Sequence, residues 1–166
     1  MTNAPLSQPP LAYFLTFHPY GTWLPGDRRG WHRRGGEGHR RPPAPRLEAH
    51  WARHLRYPVV TLSPAWREVV RAAIVEACAH RGWPLHVLVV ERAHVHLVVA
   101  APVRPEKIVQ DLKAWATRHL RARGHLIDHP HPWAEHGSME WLFEPKNVQG
   151  ALRYVLDDHH PDARGR

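Results

Sequence analysis

His94-Val95-His96 and Tyr154 are the residues of this 166-residue chain whose types and spacing could do chemistry. Side chains alternate between the two faces of an extended strand, so His94 and His96 point the same way. Two adjacent imidazoles can hold one divalent metal, with a third ligand and water completing the site. Spacing alone is weak grounds, because 16 histidines in 166 residues give roughly one or two His-x-His pairs by chance. The second such pair, His129 and His131, is interrupted by Pro130 and Pro132 and reads as loop. The first pair stands in a Val- and Leu-rich strand, where two imidazoles are costly if merely buried. Tyr154 sits near the end of the chain on an amphipathic helix whose stripe is Val148, Leu152 and Val155. It lies about 100 degrees around that helix from Val155. Asp158 follows by four residues and shares its face. Taken alone, such a tyrosine is a packing residue beside a solvated carboxylate.

Charge points to the partner. Lys and Arg total 23 against 15 Asp and Glu, for +8 and a pI near 10.5. That balance favours a polyanion, nucleic acid first and an anionic membrane surface second. Hydrophobic residues at 43% and eight tryptophans exclude a wholly disordered basic tail. The lone Cys78 excludes a disulfide framework and a multi-cysteine zinc site, and fits a reducing cytoplasm. The longest apolar stretch, around Leu97 to Pro102, is too short to span a bilayer, and the first 25 residues lack a secretion signal. Between Asp27 and Arg56 nine arginines face three carboxylates, which is +6 of the total. Arg28, Arg29, Arg33 and Arg34 are placed to track phosphates, with Trp31 available to stack on an unpaired base. Lys113, Arg118 and Arg121 would extend that basic surface.

The elements that must position these residues read as one domain over 1–166. Residues 1–10 are a loose, proline-rich leader, and Leu11 to Phe17 is a strand. Residues 20–58 form a basic insertion whose glycines and prolines prevent a long helix or strand. Ser63-Pro64 opens a helix that runs to about His80, with Gly82 just past its end. Leu85 to Val90 and His94 to Ala101 form a hairpin joined by three residues. Pro105 opens a second helix ending near Gly124, on which Ile108, Leu112, Trp115 and His119 keep helical spacing. Residues 125–137 read as loop, Ser138 to Phe143 as a strand, and Pro145 to about Asp158 as the last helix. The first six elements predict an α+β fold of the ferredoxin-like split βαβ kind. Its antiparallel sheet carries helices on one face, and a long basic loop follows the first strand.

The stretch Tyr13 to Trp31 (YFLTFHPYGTWLPGDRRGW) resembles the opening of the REP-associated tyrosine transposases, which are single-tyrosine HUH transposases (U being a hydrophobic residue). The match continues in order through HVH (94–96), KAWATRHLR (113–121), GSMEWLF (137–143) and YVLDDH (154–159). The resemblance implies a ferredoxin-like domain that cuts and rejoins single-stranded, hairpin-bearing DNA. It implies that His94 and His96 bind Mg²⁺ or Mn²⁺ and that Tyr154 is the nucleophile. Family members usually add a third ligand, often glutamine, shortly after that tyrosine. Here Asp158 and His159 occupy the region, and either suits a metal. Related enzymes often work in pairs, so a homodimer is compatible with the resemblance.

Three other classes compete. A histidine-triad hydrolase would need histidine at position 98, where this chain has Val98. A basic membrane-surface protein would need an amphipathic basic helix with a broad apolar face, which is missing. A non-catalytic DNA-hairpin-binding protein descended from a transposase differs from an active enzyme only in forming no covalent DNA adduct.

Overall fold

The computed structural model describes residues 8–31, 40–126 and 128–158, apart from the side chains of His136 and Asp158. Strands β1 (Ala12–Pro19), β2 (Leu85–Val90), β3 (Val95–Val99) and β4 (Trp133–Leu142) form one sheet in the order β2-β3-β1-β4. Every neighbouring pair is antiparallel. Helices α1 (Pro45–Arg53), α2 (Pro64–Arg81), α3 (Pro105–Ala122) and α4 (Pro145–Asp158) complete the described elements. This is the ferredoxin-like α+β arrangement expected from the order of elements.

Alternation along β1 decides what each face of the sheet does. Tyr13, Leu15 and Phe17 point into the main core, with Ile74 and Ala77 of α2 and Ile108 and Leu112 of α3. The larger of these side chains contribute about 2 kcal/mol each when fully buried. Helix α2 starts where Ser63 Oγ accepts the Trp66 amide at 3.2 Å, and stops at Gly82, whose φ of 67° closes the αL cap. Ala12 and Phe14 point the other way. With Val98, Leu142, Ala151, Val148 and Leu152 they make a smaller cluster that seats α4. So α2 and α3 share one face, and α4 lies on the opposite one.

The structure departs from the sequence reading in several places: β1 reaches Pro19, and β3 is Val95–Val99 instead of His94 to Ala101, so His94 falls just outside it. The basic insertion contains a helix, α1, because its Gly/Pro density ends at Pro45, which takes the first helical position where proline costs nothing. None of its residues is buried. Strand β4 starts at Trp133 instead of Ser138. The buried Trp133 ring meets Phe17 edge-on at 5.3 Å and donates to Thr117 Oγ1 at 3.0 Å, which draws residues 133–137 into the sheet. On α3 the buried stripe is Ile108, Leu112, Ala116 and Leu120, spaced by four throughout. Trp115 and His119 therefore flank the core instead of entering it. No helix among the described residues is long and apolar enough to cross a membrane.

Gly137 pairs with Phe17 across β1 and β4, and a β-carbon there would run into the Thr16 carbonyl oxygen. Backbone cannot step aside as a flexible side chain can. Gly137→Ala is expected to cost about 2 kcal/mol, lowering the thermal midpoint by roughly 4–8 °C. Differential scanning calorimetry of the purified variant checks this, and an unchanged midpoint would show that the two strands separate freely.

Candidate active site

The face of the sheet that seats α4 also carries the chemistry-bearing residues. His96 lies on β3 directly across from Thr16 of β1, and His94 immediately precedes β3. Their rings are 4.6 Å apart between centroids. Helix α4 brings Tyr154 over the same surface, with its ring 6.5 Å from that of His96 and 5.8 Å from Phe14. Phe14 lies 5.9 Å from His96, so it acts as a spacer between histidine and tyrosine. Tyr154 is 55% exposed, enough for a bulky substrate to approach its hydroxyl. The helix seats its apolar stripe, with Val155 fully buried, so the neighbouring position is necessarily turned to the rim.

Both histidines are held from β1 and the loop after it. Thr16 Oγ1 lies 2.7 Å from His96 Nδ1, and Thr16 itself is buried. The Ala93 carbonyl, one residue before His94, accepts from His18 Nδ1 at 3.1 Å and from Thr22 Oγ1 at 3.3 Å. The His18 ring lies 4.5 Å from that of Trp23, tilted by 60°, and stands 6.4 Å from His94. Arg29 lies over Trp23 at 4.4 Å, donates to the Thr22 carbonyl at 2.7 Å, and grips Asp27 with two nitrogens. Burial raises the Asp27 carboxyl, but the bonds and charge of Arg29 outweigh it, leaving the pKa below its ordinary value. The YGTWLPGD stretch thus folds into a buttress behind His94.

Burial pushes His18 down to about 4 from an ordinary 6.5; the Ala93 bond opposes this, while His94, Arg29 and Lys113 add to it. The unfolded chain takes up a proton near pH 6.5, and the folded chain refuses it until about 4. Folding is therefore fully supported by this group above pH 6.5 and loses support as the pH falls towards 4, by on the order of 3 kcal/mol. Denaturant titrations at pH 7.5 and 4.5 should show that His18→Gln removes most of this difference; an unchanged difference would place the acid sensitivity elsewhere.

The family model described as "Transposase IS200 like" matches residues 45–139, more than half of the chain. The chain belongs to the IS200-like transposase family. The fold of this transposase is similar to that in "Structure of the REP associates tyrosine transposase bound to a REP hairpin", at 13% identity and a TM-score of 0.50. That likeness covers 95% of this chain and 72% of the other. It is also similar to "Crystal structure of a putative transposase from deinococcus radiodurans r1 at 1.90 A resolution", at 15% identity and a TM-score of 0.51, covering 96% of this chain and 98% of that one. No curated protein matches the chain.

In the transposase, β3 with the residue just before it and α4 bring His94, His96 and Tyr154 together, and Asp158 ends the same helix. The Asp158 side chain, His159, Arg33 and Arg34 lie outside the described residues. Two adjacent imidazoles fit a divalent metal in number and chemistry, and His96 meets Thr16 through Nδ1. Among the described residues no group of three His, Cys, Asp or Glu could hold a metal. The basic residues divide. Arg28 is exposed, whereas Arg29 is committed to Asp27 and Thr22. Trp31 donates to the Pro42 carbonyl at 3.0 Å and carries Arg41 over its ring. Lys113, Arg118 and Arg121 belong to α3, on the far side of the sheet from Tyr154. Lys113 is turned inward, donating to the Ala134 carbonyl at 2.8 Å, and burial lowers its pKa. Arg121 bonds the His129 carbonyl, and Arg118 covers Trp115 at 5.0 Å.

Sequence reasoning missed Phe14, Thr16, His18 and Thr22. The signal was available for the first three: a period of two along residues 12–18 places them on the face opposite Leu15 and Phe17.

Proposed function

We propose that this transposase cuts and rejoins single-stranded, hairpin-bearing DNA through a 5′-phosphotyrosine link to Tyr154. His94 and His96 would hold Mg²⁺ or Mn²⁺, with Asp158 or His159 as third ligand. The supporting observation is the 6.5 Å between the rings of His96 and Tyr154, contributed by different elements to one face. The related solved transposase is bound to a REP hairpin, and the +8 charge suits a partner of that kind.

The scissile phosphate is anionic and repels an incoming oxygen. When bound, the metal polarises that phosphate and offsets its developing charge, worth several kcal/mol. Tyr154 supplies the attacking Oη, a poor nucleophile at an ordinary phenol pKa of about 10 until a nearby cation or base assists it. The Oη–phosphorus bond forms, the phosphorus–O3′ bond breaks, the phenol gives up its proton and the departing 3′-oxygen takes one up. Joining is the reverse attack by a 3′-hydroxyl, so no nucleotide is consumed. The 55% exposure of Tyr154 lets a strand without a partner lie across the site. Arg28 and Trp31, and Arg33 and Arg34 that follow in sequence, would receive the flanking strand, and Arg118 and Arg121 could engage a more distant part of it.

The test is covalent capture. A labelled pool of single-stranded hairpins is incubated with protein and Mn²⁺, resolved on a denaturing gel, and the adduct digested for mass spectrometry. A chelator-sensitive adduct mapping to the Tyr154 peptide is expected. Salt-sensitive hairpin binding without any adduct would make the protein a non-catalytic binder and overturn the reading.

A further inference from the structure

We propose that Thr16 is a positioning residue that fixes which nitrogen of His96 faces the site. This inference rests on the reading of His94 and His96 as a metal pair. Thr16 is the direct cross-strand partner of His96, on the same face of the sheet. Its hydroxyl lies 2.7 Å from His96 Nδ1, and only 7% of Thr16 is exposed. Nδ1 is thus turned down into the sheet, and Nε2 is the nitrogen that reaches the surface shared with Tyr154.

The proton is fixed as well: the Thr16 hydroxyl could donate to Nδ1 or accept from it, and a site built for a metal has it accept. A histidine ligates a metal through a nitrogen that carries a lone pair, and its other nitrogen then carries the hydrogen. With Nε2 presented to the site, the hydrogen belongs on Nδ1 and Thr16 Oγ1 accepts it. A threonine suits the place for two reasons. Its branched side chain is stiff at χ1, so the acceptor stands still. Being uncharged, it accepts the bond without adding a buried carboxylate beside a metal site.

His96 is fixed further by its other neighbours. Phe14, two residues before Thr16 on β1, stands 5.9 Å from its ring, and the His94 ring stands 4.6 Å away. Ring packing limits the tilt of the imidazole, but a flip that exchanged Nδ1 and the opposite ring carbon would keep much the same ring contacts. The Thr16 hydroxyl is a contact that distinguishes the two orientations.

Two measurements test this, neither requiring turnover. Long-range ¹H–¹⁵N correlation spectra of the metal-free protein at pH 8 report the tautomer of His96. The wild type should show the hydrogen on Nδ1; Thr16→Val, similar in shape but without the hydroxyl, should lose that preference, and Thr16→Ser should restore it. Mn²⁺ titration should show Thr16→Val binding at least about tenfold more weakly, with Thr16→Ser close to wild type. A wild-type His96 carrying its hydrogen on Nε2, or Mn²⁺ affinity unaltered in Thr16→Val, would overturn the proposal. Should the wild type bind no Mn²⁺ while His96 keeps its hydrogen on Nδ1, the metal reading fails and the orientation by Thr16 stands.

Discussion

Tyr154→Phe is expected to cut single-stranded hairpin DNA at least about a thousandfold more slowly than wild type and to form no covalent adduct. Hairpin affinity and thermal midpoint should stay close to wild type. The ring contacts with Phe14 and His96 survive in phenylalanine, and the hydroxyl is on a residue 55% exposed. Exposed substitutions of this kind usually stay within about 0.5 kcal/mol. Of the four tyrosines, Tyr13 is 4% exposed within the main core, and burial first among its causes raises its pKa. Tyr20 and Tyr57 pack against one another and against His129. Single-turnover cleavage followed on denaturing gels, beside a binding titration, reads both quantities. An adduct that persists in the variant would move the nucleophile elsewhere.

The second large effect concerns the histidines. His96→Ala and His94→Ala should each lower Mn²⁺ affinity by at least about a hundredfold, since loss of an outer partner alone costs ten- to a hundredfold. Cleavage at a fixed Mn²⁺ concentration should fall with it, and hairpin binding should not. His96→Ala carries an added cost of about 1 kcal/mol, because the buried Thr16 hydroxyl loses its imidazole. Calorimetric metal titration with a cleavage assay over a Mn²⁺ series separates these effects. Cleavage by either variant with an unshifted Mn²⁺ requirement would remove that histidine from the metal site.

Much of this was legible from residue order. Ser63-Pro64, Gly82, Pro105 and Pro145 mark helix ends through local backbone chemistry, which does not depend on the rest of the fold. His94 and His96 were readable as a pair because strand periodicity is local too. What escaped is tertiary. Helix α1 has no buried residue and only a short Leu47–Trp51 spacing inside a proline-rich basic stretch, too little pattern to announce it. The early start of β4 depends on Trp133 meeting Phe17 and Thr117, partners distant in sequence. The commitment of Arg29 to Asp27 and of Lys113 to the Ala134 carbonyl could not be told from a tally of positive charge. Composition counts a buried cation and a free one alike.

Strand β1 gives its odd positions to the core and its even ones to the site: Leu15 and Phe17 inward, Thr16 and His18 towards the histidine pair. Inherited changes in this strand therefore divide sharply by kind. A codon substitution at an even position can silence the site and leave a folded domain to be passed on. A one-codon insertion or deletion would exchange the two sets, putting threonine and histidine in the core and leucine and phenylalanine on the site face. Descendants that lost activity through β1 while keeping their fold would thus carry substitutions there, and their strand length would be unchanged.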